Sequence, residues 1–315
     1  MPRFRVVVTD QVFPDVAVER ELVEAAGGEL VVARDPVDAR RLVRDADAVL
    51  NTYVPVDREL IDTMKRARIV ARYGIGVDNV DLAAARAAGI AVTNVPDYCV
   101  EEVATHTVAL MLMLLRRIPA GQELVRAGGW GVGGLGEVHR LSALTVGLLG
   151  AGRIGDRVAT AVEALGGRVL VHDPYLPQAP GGRRLVDLPE LLASANVLSV
   201  HCPLTPETRN LVDAGALAAL PAGAYLVNTS RGPIVNLADV VVALRSGRLA
   251  GAALDVLDPE PPGAGLIAGV PNLVVTPHSA FLSVEAMRES QQKAATQVLK
   301  ALRGDPLDYQ IEERS

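Results

Sequence analysis

The sequence contains few cysteines and no long apolar segment, and both shortages limit what the protein can be. Its two cysteines, Cys99 and Cys202, are far apart and fit no zinc or disulfide pattern. We therefore expect no metal site and a reducing, cytoplasmic setting. The longest apolar run, residues 108–115, is much shorter than the roughly 20 residues that a membrane-spanning helix needs. The amino-terminal residues also lack the apolar region of a signal peptide, so no membrane partner is expected.

An excess of positive charge is missing as well. The formal net charge is -6 at pH 7, and no basic stripe stands out in the sequence. Nucleic acids and anionic membranes are therefore unfavourable partners. The chain has 315 residues, of which 50% are hydrophobic and 22% are charged, which is typical of a globular protein with about two domains. A chain of this length can bury a substantial core without disulfides or metals.

Short runs rich in valine and leucine alternate with alanine-rich helical patterns along most of the chain. This alternation predicts an α/β protein with parallel sheets that are covered on both faces. In the first part, the predicted strands are residues 4–8, 30–33, 48–51, 69–71 and 91–93, and the predicted helices are residues 16–26, 38–43, 57–65 and 82–88. In the second part, six strands are predicted: residues 145–149, 168–172, 197–200, 225–228, 251–254 and 273–275.

Two long helices flank the second series of strands. Residues 101–118 are apolar almost all round in their second half, which predicts a buried helix, and a glycine-rich stretch follows at residues 121–136. Residues 284–302 form the other predicted helix, and only a short tail comes after it. Because such a tail is too short to form its own domain, we expect it to return and complete the first domain.

A G-x-G-x-x-G pattern occurs at the start of the second series. It comprises Gly150, Gly152 and Gly155, follows an apolar strand and precedes a helical run at residues 156–165. In such a βαβ unit the glycines permit a tight turn, close approach of a pyrophosphate and close helix packing, while the helix amino terminus attracts phosphate. Asp173 ends the next strand, where a carboxylate accepts hydrogen bonds from the adenosine ribose and repels a 2′-phosphate. The pattern therefore predicts a dinucleotide site that prefers NAD to NADP, although a glycine-rich turn of another α/β protein is an alternative.

Longer motifs identify a family. They are Leu226-Val-Asn-Thr-Ser-Arg231-Gly-Pro-Ile-Val, Gly251-Ala-Ala-Leu-Asp255-Val-Leu-Asp-Pro-Glu260-Pro, Val275-Thr-Pro277-His278-Ser-Ala, Arg72-Tyr-Gly-Ile-Gly76-Val-Asp-Asn-Val-Asp81 and Asn94-Val-Pro-Asp-Tyr-Cys-Val-Glu-Glu-Val-Ala-Thr-His106. Together they resemble the D-2-hydroxyacid dehydrogenase family over residues 45–300. Within it, the sequence is most similar to the branch of C-terminal-binding proteins and phosphoglycerate dehydrogenases. Phe281 departs from that branch, many members of which have tryptophan there.

The resemblance implies three catalytic residues, Arg231, Glu260 and His278. Reduction of a 2-oxo acid needs an anchor for the carboxylate, polarisation of the carbonyl and a proton for the developing alkoxide. A guanidinium is always charged and binds two oxygens at once, which suits Arg231 to the first two tasks. Histidine titrates near neutral pH, which suits His278 to proton transfer. Glu260 would stabilise the imidazolium and fix which ring nitrogen faces the substrate, and NAD would provide the hydride chemistry.

The resemblance also implies the remaining site residues. Cofactor-binding roles fall to Gly150, Gly152, Arg153, Ile154, Gly155, Asp173, His201, Pro203, Thr229, Asp255 and Thr105, with Thr105 near the nicotinamide and Asp255 as acceptor from its amide. Substrate-binding roles fall to Arg72, Tyr73, Gly74, Ile75, Gly76 and Phe281. A purely structural role is the alternative for each of these positions, and it is favoured for His106.

The resemblance further implies two Rossmann-like, doubly wound parallel-sheet domains with an active-site cleft between them. Residues 1–97 and 283–315 would form a flavodoxin-like substrate-binding domain, and residues 98–282 the NAD-binding domain, with a dimerisation helix and loop near residues 100–139. The expected assembly is a homodimer.

The expected activity is NAD-dependent interconversion of a small 2-oxo acid and a D-2-hydroxy acid. The presence of Glu260 counts against a formate dehydrogenase, and we expect no appended regulatory domain. Two alternatives stay open: an NAD(H)-sensing binding module like the corepressors of this branch, and a dehydrogenase of another small oxyanion.

Overall fold

The computed structural model describes residues 3–311, except for the side chain of Ala264. These residues form two compact units. Unit 1 comprises the residues up to Cys99 and those from Leu282 onward, and unit 2 comprises Val100–Phe281.

Unit 1 contains a five-stranded parallel sheet with α-helices between the strands. Its strands are β1 Arg5–Val8, β2 Glu29–Val32, β3 Ala48–Asn51, β4 Ile69–Arg72 and β5 Ala91–Thr93, and its first helices are α1 Ala17–Ala25, α2 Pro36–Leu42, α3 Arg58–Thr63 and α4 Leu82–Ala87. The strand order is β2-β1-β3-β4-β5. The direction of winding changes between β1 and β3, and ligands of open α/β sheets bind at the carboxyl ends of the strands beside such a point.

The sequence explains why these elements form where they do. The central strands β3 and β4 are buried along their whole length, as the continuous apolar runs predicted. Aspartates begin the helices at the carboxyl edge: Asp57 accepts a hydrogen bond from the Leu60 N–H at 2.8 Å, and Asp81 accepts one from the Ala84 N–H at 2.8 Å. Each cap satisfies a backbone donor that the helix itself leaves without an acceptor.

Unit 2 contains a seven-stranded parallel sheet. Its strands are β6 Thr145–Leu149, β7 Arg168–His172, β8 Arg184–Leu185, β9 Val197–Val200, β10 Ala224–Asn228, β11 Leu249–Leu254 and β12 Leu273–Val275, and its helices are α5 Val100–Leu115, α6 Ile118–Arg126, α7 Arg153–Ala164, α8 Leu188–Ser194, α9 Ala214–Ala219, α10 Leu237–Arg245 and α11 Ala264–Ile267. The order is β12-β11-β10-β9-β6-β7-β8, which is the dinucleotide-binding order with one added edge strand. The sequence predicted six of these seven strands. It did not predict β8, which has only two residues, too few to show a periodic pattern.

The helix predicted at residues 101–118 is wrong at its end. The structure has two helices, α5 and α6, that meet at Arg117, which has a left-handed φ of 53°. Pro119 lies in the first turn of α6, and a proline in a helix interior would remove a hydrogen bond and clash with the preceding turn. The chain therefore bends and begins a new helix, so part of the glycine-rich stretch is helical.

The last helix, α12 Val284–Arg303, belongs to unit 1. Its side chains fix the loops of that unit: the Ser290 hydroxyl donates a hydrogen bond to the Tyr73 carbonyl, and the Gln291 amide donates one to the Asp15 carbonyl at 2.9 Å. Helix α12 is thus part of unit 1. Among residues 3–311, no single helix is long and apolar enough to cross a membrane, although α5 and α6, bent by 56°, meet that length and composition together.

Candidate active site

The turn after β10 presents Arg231. Asn228, the last residue of the strand, is fully buried. Its Nδ2 donates a hydrogen bond to the Arg231 carbonyl at 2.9 Å, and its Oδ1 accepts one from the Ser230 N–H at 3.0 Å. The Ser230 hydroxyl donates to the Cys202 carbonyl at 2.6 Å. These bonds fix the backbone beside Arg231, and the Arg231 guanidinium donates a hydrogen bond to the Ser230 carbonyl at 2.8 Å.

Gly232 brings this turn against the loop that follows β11. A Cβ atom on Gly232 would lie 1.9 Å from the Leu257 carbonyl oxygen and 2.8 Å from the Asp258 nitrogen. No side chain fits between two backbones at that distance. The glycine after Arg231 therefore allows the loop containing Glu260 to approach the arginine.

Glu260 connects that loop to His278. Its Oε1 accepts a hydrogen bond from the Leu257 N–H at 2.9 Å, and its Oε2 lies 2.7 Å from His278 Nδ1. Burial would raise the pKa of Glu260, but the hydrogen bond and charge of His278, the Leu257 N–H and the charge of Arg231 together lower it below the usual value. The carboxylate is thus the stable form beside the imidazole.

His278 has a strained backbone held by Asp255. Its φ is 52°, in the left-handed region that few non-glycine residues adopt. The His278 N–H donates to the Asp255 carbonyl at 2.8 Å, while the Asp255 carboxylate accepts hydrogen bonds from the Ser279 and Ala280 N–H groups at 2.9 and 3.0 Å. Strain of this kind persists where the surroundings impose it, and it is concentrated at functional sites.

The contact with Glu260 also determines the tautomer of His278. A carboxylate can only accept a hydrogen bond, so Nδ1 bears the proton that faces Glu260, and Nε2 is the acceptor nitrogen of the neutral imidazole. The Phe281 ring stands edge-on to the imidazole, with ring centroids 6.1 Å apart. This arrangement leaves an imidazole that can exchange a proton through Nε2, supported by a carboxylate on its other nitrogen.

The glycine loop after β6 has the geometry of a pyrophosphate site. Gly150 has a φ of 92°, and a Cβ atom there would lie 2.8 Å from the Cys202 nitrogen. A Cβ on Gly155 would lie 2.6 Å from the Gly150 carbonyl oxygen, whereas one on Gly152 would meet no atom within 4 Å. Gly150 and Gly155 are therefore required by packing, whereas Gly152 leaves space beside the loop.

The helix that follows the loop has an amino terminus suited to anions. Gly152 is the N-cap of α7, and no side chain caps the helix, so the N–H groups of Arg153 and Ile154 point toward the open space beside Gly152. Asp173 lies at the end of β7, where its Oδ2 accepts a hydrogen bond from the Ala151 N–H at 3.1 Å. These residues fit a dinucleotide, with the pyrophosphate at the helix terminus and the ribose at Asp173.

Two residues beside the loop are kept uncharged by burial. Burial lowers the pKa of His201 to about 4, and its Nε2 lies 2.8 Å from the Ser199 hydroxyl. Burial also raises the pKa of the Cys202 thiol to about 11. Neither side chain adds charge to the cofactor groove near neutral pH.

The other predicted cofactor residues lie at the same edge of the unit 2 sheet or on α5. The buried Thr229 hydroxyl is 2.7 Å from that of Thr107, and the Pro203 carbonyl accepts a hydrogen bond from Thr208 at 2.7 Å. Thr105 is exposed on α5. His106 Nε2 lies 3.2 Å from the Thr276 hydroxyl, which donates to Asp255 at 2.5 Å. His106 and Asp255 therefore belong to one polar cluster beneath His278.

The predicted substrate loop lies in unit 1, after β4. Arg72 Nε donates to Asn79 Oδ1 at 2.8 Å, and the Ile75 carbonyl accepts a hydrogen bond from Asn94 Nδ2 at 2.6 Å. The loop backbone at Gly74–Gly76 is partly exposed. The Tyr73 ring is instead buried against Phe13, with ring centroids 4.8 Å apart.

Sequence reasoning missed the asparagines that hold both loops. Asn228 fixes the Arg231 turn, and Asn79 binds Arg72. Both residues stand within or beside the motifs, at or after a strand end, so their position was the available signal. Their partners could not be inferred, because a side-chain amide at a strand end is compatible with many contacts.

The chain is similar to known dehydrogenases. Residues 108–280 match the model of the D-isomer specific 2-hydroxyacid dehydrogenase NAD binding domain. D-3-phosphoglycerate dehydrogenase of Methanocaldococcus jannaschii is 31% identical over 306 residues, which is 96% of this chain and 58% of that one. The Mycobacterium tuberculosis H37Rv enzyme of the same name is 37% identical over 290 residues, 89% of this chain and 55% of that one. The chain thus spans little more than half the length of these relatives.

The fold is that of a solved dehydrogenase along its whole length. The crystal structure of D-lactate dehydrogenase from Aquifex aeolicus, complexed with NAD and lactic acid, superposes with a TM-score of 0.90 at 25% identity and covers 99% of this chain and 100% of that one. The family match covers the glycine loop, Asp173, Arg231, Glu260 and His278. The chain belongs to the D-isomer specific 2-hydroxyacid dehydrogenase family and contains its NAD-binding domain.

Proposed function

We propose that this protein interconverts a small 2-oxo acid and the corresponding D-2-hydroxy acid with NAD as the hydride carrier. The observation that supports this most strongly is the 2.7 Å contact between Glu260 and His278, beside the Arg231 turn. His278 is the proton donor and acceptor, and Glu260 is the carboxylate that orients it. Arg231 adds a cation at the same edge of the unit 2 sheet. These are the groups that carbonyl reduction requires.

In the direction of reduction, Arg231 binds the substrate carboxylate and polarises the carbonyl oxygen. When bound, NADH supplies the hydride at the carbonyl carbon. His278 then donates the proton on Nε2 to the developing alkoxide, and Glu260 stabilises the imidazolium before that transfer. In the reverse direction the neutral imidazole accepts the hydroxyl proton. A positioned general acid of this kind contributes about 100- to 10,000-fold to the rate.

Besides Arg231, we assign substrate binding to unit 1, and we assign cofactor binding to unit 2. The partly exposed backbone of the Gly74–Gly76 loop suits a small anion, and Arg72 lies at the start of that loop. The glycine loop and the amino terminus of α7 suit the pyrophosphate, while Asp173 favours NAD over NADP because it would repel a 2′-phosphate.

We also propose a homodimer formed through α6 and the loop after it. None of the residues of α6 is buried, and its apolar side chains Ile118 and Val125 are about half exposed. In the loop that follows, Trp130 and Val132 are 90% and 83% exposed. Apolar side chains so exposed on one segment are typical of an interface. Light scattering would show about twice the 33.1 kDa chain mass for a dimer.

The activity is tested by the absorbance of NADH with purified protein and a panel of 2-oxo acids, which includes glyoxylate, pyruvate, hydroxypyruvate and 3-phosphohydroxypyruvate. We expect loss of the NADH signal with at least one acid and a much slower loss with NADPH. Binding of NADH without turnover of any acid would refute the proposal and favour an NAD(H)-sensing binding module.

A further inference from the structure

A carboxylate occupies the place in unit 1 where an anionic ligand would be expected. Asp10 follows β1, and residues 52–54 follow β3, so they meet where the winding of the sheet changes direction. The Asp10 carboxylate accepts hydrogen bonds from the N–H groups of Thr52, Tyr53 and Val54 at 3.1, 2.5 and 3.2 Å. Successive N–H groups that converge in this way form an anion-binding concavity. Here the protein's own anion fills it.

Asp10 also belongs to a network that reaches the predicted substrate loop. Asn51 Nδ2 lies 3.3 Å from Asp10 Oδ1, and Asn51 Oδ1 accepts a hydrogen bond from Asn79 Nδ2 at 2.9 Å. Asn79 Oδ1 in turn accepts the Arg72 Nε–H at 2.8 Å. The Nε–H of Arg72 therefore binds the neutral amide of Asn79, and hydrogen bonds through Asn51 connect that amide to the Asp10 carboxylate.

The loops at this edge are acidic. Those that follow the five strands of unit 1 contain one arginine, Arg34, and these aspartates: Asp10, Asp15, Asp35, Asp57, Asp78, Asp81 and Asp97. Four cations at this edge pair with acids: Arg34 with Asp38 at 3.1 Å, Arg40 with Asp57 at 2.9 Å, Arg58 with Asp81 at 3.8 Å and Lys293 with Asp97 at 2.8 Å. A fifth, Arg72, ends β4 and binds the Asn79 amide. The aspartates at this edge would repel a phosphate dianion, and these cations already bind partners within the protein.

We infer that the substrate has a single anionic group, its 2-carboxylate, and that Asp10 is a specificity-determining residue that excludes phosphorylated acids. This inference rests on the proposed function and narrows it. It also separates this chain from its relatives, which are named for a phosphorylated hydroxy acid. Repulsion between like charges at a binding surface is large enough to favour the unphosphorylated acid over the phosphorylated one by about 100-fold.

The test compares kcat/KM for hydroxypyruvate, pyruvate and glyoxylate with that for 3-phosphohydroxypyruvate. We expect the best unphosphorylated acid to exceed the phosphorylated one by about 100-fold or more. Equal or better reduction of the phosphorylated acid would overturn this inference and leave the proposed function standing. Loss of NADH with none of the acids would overturn both, so the two failures are distinguishable.

Two variants locate the discrimination. Asp10→Asn removes the charge, and Tyr53→Arg adds a cation to the same loop while Asp10 stays in place, so the second variant is informative even if the first does not fold. Each should raise kcat/KM for the phosphorylated acid relative to the best unphosphorylated acid by about 10-fold. Val242→Arg, at a 67% exposed position of unit 2, is the matched control and should leave that ratio unchanged. An unchanged ratio in Tyr53→Arg would contradict the assignment to this edge.

Discussion

At the scale of single residues, the proposed chemistry depends on the contact between Glu260 and His278, in which Oε2 lies 2.7 Å from Nδ1. The motifs singled out Arg231, Glu260 and His278 because each stands in a long pattern with fixed spacing. No pattern indicated that Asp10 binds the backbone of residues 52–54, since those partners are more than 40 residues away. Contacts between distant residues depend on the topology of the sheet, and a single sequence shows the topology only indirectly.

Glu260→Gln tests the role assigned to the carboxylate. The variant keeps the size of the side chain but removes the charge opposite His278, so we expect kcat to fall by about 100-fold. Glu137→Gln, at a 93% exposed side chain, should retain the wild-type rate. A Glu260→Gln enzyme with wild-type kcat would show that His278 does not need this partner.

The same variant has a pH-dependent effect on stability. Because the pKa of Glu260 is lowered in the folded protein, its charge stabilises the fold above about pH 4.3, the pKa in an unfolded chain. That contribution is lost as the pH falls through the folded-state pKa. The free energy of unfolding of Glu260→Gln should be lower by about 1 kcal/mol at pH 7, and urea denaturation should show the difference shrinking toward pH 3.

At the scale of elements, strand positions were predicted better than helix ends. Several strands, among them β3 and β6, occupy the predicted residues, because buried parallel strands are continuous apolar runs. The break between α5 and α6 was missed, although Pro119 was visible in the sequence. Ile118 follows Arg116 and Arg117 with no turn residue before it, so the pattern favoured one helix, whereas the structure has a left-handed φ at Arg117 and a 56° bend.

Gly232→Ala tests the contact between the loops after β10 and β11. An added Cβ would lie 1.9 Å from a backbone oxygen, so one loop must move. We expect a loss of about 2–3 kcal/mol in the free energy of unfolding and a loss of activity, because the Glu260 loop can no longer approach Arg231.

Gly265→Ala is the matched control, since a Cβ there meets no atom within 4 Å. Calorimetry should give the control a melting temperature close to that of the wild type. A Gly232→Ala protein as stable and active as the control would contradict the proposed packing.

At the scale of the whole molecule, both sheets wind in orders that place ligand sites at the carboxyl ends of their strands. In unit 2 the change of direction lies between β6 and β9, beside the glycine loop, and in unit 1 it lies between β1 and β3, beside Asp10. Alternation of strands and helices predicted the α/β class and the parallel sheets. It did not predict that the Asp10 carboxylate lies where the winding of the unit 1 sheet changes direction. The periodicity of apolar residues predicts strands and helices, but it does not predict which charged side chain lies at their ends.

The central claim is that His278, oriented by Glu260, transfers the proton in an NAD-dependent reduction. The most direct measurement is the rate of NADH oxidation by His278→Gln with the best acid of the panel, together with NADH affinity measured by fluorescence. We predict unchanged affinity for NADH and a kcat lower by about 100- to 10,000-fold. A His278→Gln enzyme that binds NADH and reduces the acid at the wild-type rate would contradict the account.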